Sequence, residues 1–435
     1  MILDTQDFQL PLWAICIVLL FCAWIVKNRR VEIIAGIYCS SSYWLYNIMV
    51  GPIALTWVWI FTLIVTMVRY RPNEPLIRFE KPLLWLSIWC AWVICVLYIL
   101  PLPSAHRWNL LSNLLLYIYL PIFPILRFAR NTEKVRTFTG TFTVFTVTGG
   151  ILLFLVSQST TGWTIQSGLL SSELLGLGRS NYHSFASCFV IAFSFLLAMF
   201  FETKSLFKKV LLAVASFFLA YVTVLSGSRQ ASSGLILTAA ILTLWSIRKG
   251  ASSRLITLCF VIVMAVVGFF LSTYEPLVNK VSLMQSESLG ERGPLFLSGF
   301  SLFMESPLWG QGFSYYNIAH NFFLESLLTS GLAGFVLLLG FMYCAVNKSI
   351  RQQFAGSSRS GTSNTEILRA AFLTAYAYSL FETQFVGGTL HGYFLYWGAI
   401  VIWSISQVPQ DRAFPSPKTH HNGYEVLGVK SFEKY

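Results

Sequence analysis

The sequence is a succession of apolar segments, and thirteen of them approach the length that a helix needs to cross a bilayer. Such a span takes about 20 mostly apolar residues. Hydrophobic residues make up 55% of the 435 residues and charged residues only 11%, against roughly 25% in soluble domains. A water-soluble chain could not cover that much apolar surface without exposing large patches. We therefore predict an all-α fold, a polytopic membrane helix bundle.

The predicted number of transmembrane helices is about 12–13. The second segment carries three serines (40–42) and the twelfth is short, so twelve spans are nearly as well supported as thirteen. The spans are predicted at residues 10–26, 31–49, 52–69, 83–100, 109–126, 137–157, 182–201, 210–226, 231–247, 255–272, 322–346, 369–384 and 390–406.

Lys and Arg are concentrated in alternate loops, which sets the predicted orientation. If the loop 27–30 is cytoplasmic and the spans alternate, the cytoplasmic segments hold 25 of the 30 basic residues. The N-terminus then lies outside and the C-tail inside, and the net charge of +12 needs no nucleic-acid partner. Five basic residues remain on the outer side: Arg107, Arg179, Arg229, Lys280 and Arg292.

Two outer loops are longer than the rest, and long ordered loops are where function usually resides. One covers residues 158–181 and the other residues 273–321. Within the second, Gly293–Ser306 has apolar residues at helical spacing and ends before Pro307. We predict that this stretch is an amphipathic helix near the membrane surface.

Compositional signals for other classes of protein are lacking. The eight cysteines all lie in apolar segments without metal-type spacing, so they are predicted to be small buried hydrophobes. Asp4 and Asp7, with no basic residue before the first span, are the reverse of a signal peptide. We expect the first apolar segment to be a retained helix.

Three of the outer arginines are candidate functional residues, because a charge close to hydrocarbon is costly unless it is paired or solvated. Arg179 precedes the seventh span, and Arg229 follows Gly227 and Ser228 in a turn of a few residues. Arg292 precedes the amphipathic helix. The alternative is that each lies at the interface and extends to lipid headgroups. We favour a functional role for Arg229, leave Arg179 open between the two, and regard Arg107 as interfacial.

A second candidate site follows the amphipathic helix. The segment Pro307–Phe313 contains Gly310 and Gly312, and a Gly-x-Gly turn lets the backbone approach a ligand closely. His320 and Asn321 follow at the start of the eleventh span. A neutral imidazole there would suit a general base, although a lone histidine at an interface is more often a structural hydrogen-bonding group.

Carboxylate pairs for a metal–diphosphate site are missing from the sequence. Of three aspartates, two lie at the N-terminus and one in the C-tail, and no Asp-x-Asp or Asp-Asp pair exists. A hard divalent cation normally needs such carboxylates. We expect no metal and no cofactor, and any phosphate chemistry would rely on arginine.

Four stretches, in this order, resemble the O-antigen ligase/O-antigen polymerase superfamily of bacterial integral-membrane glycosyltransferases. They are residues 178–181 (GRSN), 226–230 (SGSRQ), Arg292 with 305–312 (ESPLWGQG), and His320-Asn321 with 331–334 (GLAG). The resemblance covers about residues 180–335. It implies transfer of a glycan from an undecaprenyl-diphosphate carrier at the periplasmic face of the inner (cytoplasmic) membrane, without a metal.

The resemblance also implies roles for particular residues. Arg229 and Arg292 match the arginines that hold the donor diphosphate, and Arg179 matches them more loosely. His320 matches the loop histidine that is proposed to activate the acceptor as the catalytic base. Four residues are expected to support this site: Gly310, Gly312, Asn321 and Glu305.

The predicted division of the chain follows from the resemblance. Residues 1–170 form an N-terminal transmembrane bundle, and residues 171–346 form the ligase/polymerase-like core, which includes the periplasmic loop 273–321. Residues 347–406 form C-terminal transmembrane helices, and residues 407–435 a flexible cytoplasmic tail. The expected partners are the undecaprenyl-diphosphate-linked oligosaccharide, a glycan or lipid A-core acceptor, membrane lipids and a chain-length regulator protein, with no nucleic acid.

Three classes of function remain open at this point: a membrane glycosyltransferase, a transporter and a structural scaffold. Polymerisation of glycan repeat units is slightly preferred to ligation onto lipid A-core, because the compact loops leave little room for a large branched acceptor. A transporter or flippase of a lipid-linked or anionic substrate is the rival from another class, but its charges should line a path rather than gather on one face. A structural scaffold in a polysaccharide assembly complex is the third.

Overall fold

The computed structural model is built from helices that pack side by side. It describes residues 29–41, 49–50, 53–54, 60–65, 80–100, 107–108, 111–112, 114–161, 182–226, 228–248, 294, 296–312, 322–354, 364–380 and 393–407. Among these residues the only strands are Met49–Val50 (β1) and Ile53–Ala54 (β2), which form a two-residue antiparallel pair. The prediction of an all-α bundle is therefore confirmed.

Most of the helices agree closely with the predicted spans that the described residues include. The predicted spans 31–49 and 52–69 differ, because β1 begins at Met49 and β2 occupies Ile53–Ala54. The helices are α1 (Arg30–Ser41), α2 (Lys81–Ile99), a π-helix (Leu114–Tyr119), α3 (Ile122–Phe128), α4 (Thr132–Thr161), α5 (Tyr182–Glu202), α6 (Leu206–Leu225), α7 (Arg229–Arg248), α8 (Phe296–Glu305), α9 (Phe322–Phe354), α10 (Asn364–Leu380) and α11 (Tyr393–Ser406).

Four of these helices are long and apolar enough to cross a membrane: α2, α5, α6 and α9. Shorter apolar helices accompany them, including α7 and α11. The chain is thus a multi-pass helical membrane protein, as the hydropathy predicted. The predicted spans 10–26 and 255–272 lie outside the described residues.

Local sequence explains several helix ends. Pro82 occupies the first turn of α2, where its missing N–H removes no helical hydrogen bond. The Asn131 side chain accepts hydrogen bonds from the amides of Glu133 and Lys134 at 3.0 and 3.2 Å, which caps the start of α4. The span predicted at 109–126 is divided into the π-helix and α3 near Pro121, because a proline cannot donate in a continuous helix.

Aromatic side chains fill the centre of the bundle. The ring of Trp397 in α11 contacts the rings of Phe142 in α4 and Phe394. Phe195 of α5 lies with its ring centroid 4.7 Å from that of Phe372 in α10. Because these residues come from four helices, their burial joins α4, α5, α10 and α11 into one core.

Ion pairs join the helices at one end of the bundle, which we call the charged end. Arg136 of α4 pairs with Glu202 at the end of α5 at 3.1 Å, and Lys134 pairs with Glu32 of α1 at 3.6 Å. Two further pairs are Arg29–Glu133 and Arg130–Glu80. The charge pattern predicted that these helix ends share one side of the membrane. The described helices that carry them therefore have the relative directions expected from the sequence.

Candidate functional site

Arg229 begins a helix at the end of the bundle opposite the charged end. α5 runs from Tyr182 to Glu202 at the charged end, α6 returns from there to Leu225, and α7 begins at Arg229 and packs against α5. Only the three residues 226–228 separate α6 from α7, so the predicted tight turn between two apolar helices is confirmed. The positive end of the α7 helix dipole lies at the same place, and this favours anions.

Buried serines fix the turn that leads into Arg229. The amide of Ser226 donates to the carbonyl of Val222 at 3.0 Å, which closes α6. The hydroxyl of Ser228 accepts a hydrogen bond from the amide of Ala231 at 3.3 Å and so caps α7. Both serines are buried. The backbone position of Arg229 is therefore set by side chains below it rather than by solvent-exposed loop residues.

The second predicted site contains the amphipathic helix, found as α8 over Phe296–Glu305. Its apolar side chains are largely exposed in the protein alone, in keeping with a helix that lies against lipid. Glu305 at its end is exposed and accepts a hydrogen bond from the side chain of Gln311 at 3.3 Å. Gln311 also donates to the carbonyl of Leu302 at 2.7 Å, which folds the following segment back onto α8.

The segment after α8 docks onto a break in α9. Gly331 has φ 67° and ψ −176°, so the helix is interrupted there, whereas the sequence predicted a continuous span over 322–346. The amide of Gln311 donates to the carbonyl of Leu328 at 2.7 Å, and the amide of Leu332 donates to the carbonyl of Pro307 at 2.8 Å. Backbone groups that the break releases from α9 are thus paired with this segment.

Glycine is required on both sides of this contact. Gly310 and Gly312 have φ of 78° and 75°, values that other residues rarely adopt. A Cβ atom on Gly310 would lie 2.7 Å from the carbonyl oxygen of Leu328. At Gly310 the close approach expected of the Gly-x-Gly turn is therefore made to the backbone of α9, whereas Gly312 faces the side chain of Leu100. Contact of this turn with a substrate stays a prediction.

Trp92 of α2 contacts the docked segment on one side. The rings of Trp92 and Trp309 stack with centroids 4.8 Å apart and an interplanar angle of 11°. The indole N–H of Trp92 donates to the carbonyl of Ser330 at 2.9 Å, next to the break. We call the docked segment 307–312 with Gly331 and Trp92 the glycine joint. Trp92 was not among the residues singled out from the sequence, because its partners are distant in the chain.

The part of α9 before the break carries buried polar side chains. Glu325 is 1% exposed, and Ser326 and Thr329 are fully buried. The hydroxyl of Thr329 donates to the carbonyl of Glu325 at 2.6 Å. A carboxylate and hydroxyls at this depth are costly unless they are hydrogen-bonded, so they mark this half-helix as a candidate site. This half-helix was not singled out from the sequence; the run of polar residues at 325, 326, 329 and 330 within an apolar span is the signal that could have found it.

The predicted site residues have different outcomes in the structure. Arg179, Arg292, His320 and Asn321 lie outside the described residues. The described elements nevertheless adjoin them in sequence: α5 starts three residues after Arg179, α8 four residues after Arg292, and α9 two residues after His320. α10 packs against both α7 and α9 and is thus the shared neighbour of the two groups.

A comparison with protein families gives a match for the central part of the chain. Residues 214–339 match the family model described as O-antigen ligase. These residues, less than a third of the chain, are similar to that family. The resemblance predicted from the four motifs is therefore confirmed, and it favours a membrane glycosyltransferase of the O-antigen ligase and polymerase type.

The residues that match this family contain most of the predicted site. Arg229, Arg292, His320, the docked segment 307–312 and Gly331 lie within the matched residues, whereas Arg179 and the Trp92 of the glycine joint precede them. The substrates of this kind of enzyme are in general a lipid-linked glycan and a glycan acceptor. The comparison with curated proteins yields no match.

Proposed function

We propose that the protein polymerises undecaprenyl-diphosphate-linked glycan repeat units at the periplasmic face of the inner membrane. In this reaction the bond between the anomeric carbon of the donor and its diphosphate oxygen breaks. The hydroxyl oxygen of the acceptor glycan bonds to that carbon, and undecaprenyl diphosphate leaves. The proton of the acceptor hydroxyl passes to a base on the protein.

The glycine joint is the observation that carries the proposal. It ties α8, which begins shortly after Arg292, to α9, which begins shortly after His320 and Asn321. An arginine for the donor and a base for the acceptor must be held at a fixed spacing if the reacting atoms are to meet. The joint supplies such a constraint between the two segments through backbone hydrogen bonds.

Arginine suits the role of diphosphate ligand in this proposal. Its guanidinium group stays charged at any relevant pH and offers paired N–H donors to phosphate oxygens. Arg229 and Arg292 are assigned to the donor diphosphate, with Arg179 as a further ligand. Since two or three guanidinium groups can neutralise the leaving group, we propose that the reaction needs no metal ion and no cofactor.

Ligation onto lipid A-core is the alternative for the same active site, and the acceptor decides between the two. The experiment is a turnover assay of the purified protein with undecaprenyl-diphosphate-linked glycan, with and without lipid A-core, in the presence of EDTA. Longer glycans on the carrier without lipid A-core support the polymerase. Product that forms only when lipid A-core is present identifies a ligase instead.

The transporter or flippase reading predicts a different result. Reconstituted vesicles would then move a lipid-linked glycan across the bilayer, and the purified protein would form no new glycosidic bond. The ion pairs described here lie at the charged end, away from the start of α7. This separation supports chemistry at one face rather than a charged path through the bundle.

A further inference from the structure

Tyr378 of α10 bridges two other helices close to the end of the bundle where Arg229 lies. Its hydroxyl is 3.2 Å from the hydroxyl of Ser187 in α5. Its ring lies against Gly234 in α7, where an added Cβ atom would overlap the ring. Tyr378 is only 3% exposed. One side chain therefore fixes the separation of α5 from α7.

The three contacting residues lie at similar depths. Gly234 is five residues into α7 and Ser187 is five residues into α5, which corresponds to about 7.5 Å along each helix axis. Tyr378 is two residues before the end of α10. The contact is thus about one and a half turns below Arg229, the first residue of α7.

The contact is sensitive to small changes for two reasons. A glycine at a helix interface lets the neighbouring group come directly onto the backbone, and even one methyl group would force the helices apart. The tyrosine adds a polar group that fixes the rotation of its ring. α7 also has little freedom at its start, because Ser228 caps it and Ser226 closes α6.

We propose that Tyr378 is a positioning residue for Arg229: by its contacts with Gly234 and Ser187 it sets the place where α7 begins. The inference rests on the proposed function, in which Arg229 binds the donor diphosphate. Tyr378 lies outside the residues that match the O-antigen ligase family, in the C-terminal helices, and acts through α7 without touching the substrate. The C-terminal helices are thereby part of the donor site rather than only of the membrane anchor.

The experiment measures the KM for the lipid-linked donor and kcat in three variants. Gly234→Ala displaces the ring, Tyr378→Phe removes only the hydroxyl, and Ser187→Ala removes its partner. We expect the donor KM to rise about tenfold in Gly234→Ala and about threefold in the other two, with kcat changed less. If Gly234→Ala does not elute as a folded protein in detergent, the two milder variants provide the test.

Tyr376→Phe is the matched control in the same helix. Tyr376 is also buried, and within the described part of the chain its hydroxyl has no hydrogen-bond partner. Its donor KM should stay at the wild-type value. Equal effects of Tyr376→Phe and Tyr378→Phe would overturn the inference, because they would show only a general response of α10 to the loss of a hydroxyl group.

A double-mutant cycle with Arg229→Ala separates positioning from simple packing. If Tyr378 acts through Arg229, adding Tyr378→Phe to Arg229→Ala should change the dissociation constant of the donor by less than twofold. If Tyr378→Phe still raises the dissociation constant of the donor threefold in the Arg229→Ala background, the positioning role is overturned and the proposed function is left intact. If Arg229→Ala alone binds and turns over the donor normally, it is the proposed function that fails.

Discussion

Gly310 and Gly331 lie backbone against backbone, and a Cβ atom on either residue would come within 2.6 Å of the amide nitrogen of the other. Their φ angles are 78° and 67°. The contact brings the segment after α8 onto the only break that the structure describes within α9. Because neither residue tolerates a side chain, the glycine joint can be tested by single substitutions.

Gly331→Ala should destabilise the protein. With ψ at −176°, Gly331 occupies a backbone region that is essentially restricted to glycine, and a Cβ atom would also overlap the carbonyl group of Leu308. We expect a loss of about 1–3 kcal/mol or more, seen as a lower midpoint of thermal unfolding in detergent, together with reduced turnover.

Gly140→Ala is the control for that substitution. Gly140 lies in α4, and no atom of the described residues would be within 4 Å of an added Cβ. Alanine there should be neutral or stabilise the helix by up to about 1 kcal/mol. An equal fall in the unfolding midpoint for both variants would contradict a specific role of the joint.

Trp92→Phe should loosen the docked segment without unfolding the bundle. The variant keeps an aromatic ring for Trp309 but loses the 2.9 Å hydrogen bond to the carbonyl of Ser330, worth about 0.5–1.5 kcal/mol. Limited proteolysis should then cut the segment 296–312 faster. Trp108→Phe, at a residue that is 65% exposed, should be digested like the wild type.

Hydropathy predicted the helices well because the composition of each apolar segment determines whether that segment forms a helix. α5 was expected at 182–201 and is found at Tyr182–Glu202, and the tight turn before Arg229 was expected between two apolar spans. A helix in lipid satisfies its backbone hydrogen bonds internally, so local composition is sufficient to specify it.

Hydropathy could not predict the glycine joint. Gly331 lies in an apolar segment whose composition is compatible with an uninterrupted helix. Its break is stabilised by carbonyl and amide groups of residues 307–311, and the Trp92–Ser330 hydrogen bond joins residues 238 apart in the chain. Such non-local backbone pairing leaves no periodic signal, although Gly310 and Gly312 were singled out from the sequence.

Replacement of the proposed diphosphate ligands should strongly reduce turnover. Arg229→Ala or Arg292→Ala should lower it by roughly two to three orders of magnitude, or about 3–4 kcal/mol, comparable to losing an oxyanion donor. Lysine at either position should rescue only part of the activity, since it cannot bind phosphate bidentately. Initial rates of glycan extension with folded protein provide the measurement.

Arg107→Ala is the control for the two arginine variants. The Arg107 guanidinium lies 5.4 Å from the centre of the Tyr98 ring at the end of α2, in keeping with an interfacial role. Its removal should leave turnover within a few-fold of the wild type. Near-normal activity of both the Arg229 and the Arg292 variants would rule out the proposed donor site.

Chelation should leave the activity unchanged. The proposal assigns the diphosphate charge to arginines, so excess EDTA should not lower the rate of glycan extension. The glutamates that could serve as metal ligands instead are Glu291, Glu305 and Glu325. Strict dependence on added magnesium or manganese would contradict the proposal and direct substitution to these three residues.

His320→Ala tests the base. A diphosphate leaves without protonation, so the group still needed is one that removes the proton of the attacking hydroxyl as positive charge develops at the anomeric carbon. A positioned base contributes about 10²–10⁴-fold, and the variant should lose that factor while donor binding is largely kept. A neutral imidazole is needed, so wild-type turnover should fall as the pH drops through about 6.5, and this dependence should vanish in the variant. If His320→Ala keeps wild-type turnover and an unaltered pH profile, the base is instead Glu305 or the buried Glu325, which lies one turn beyond the start of α9.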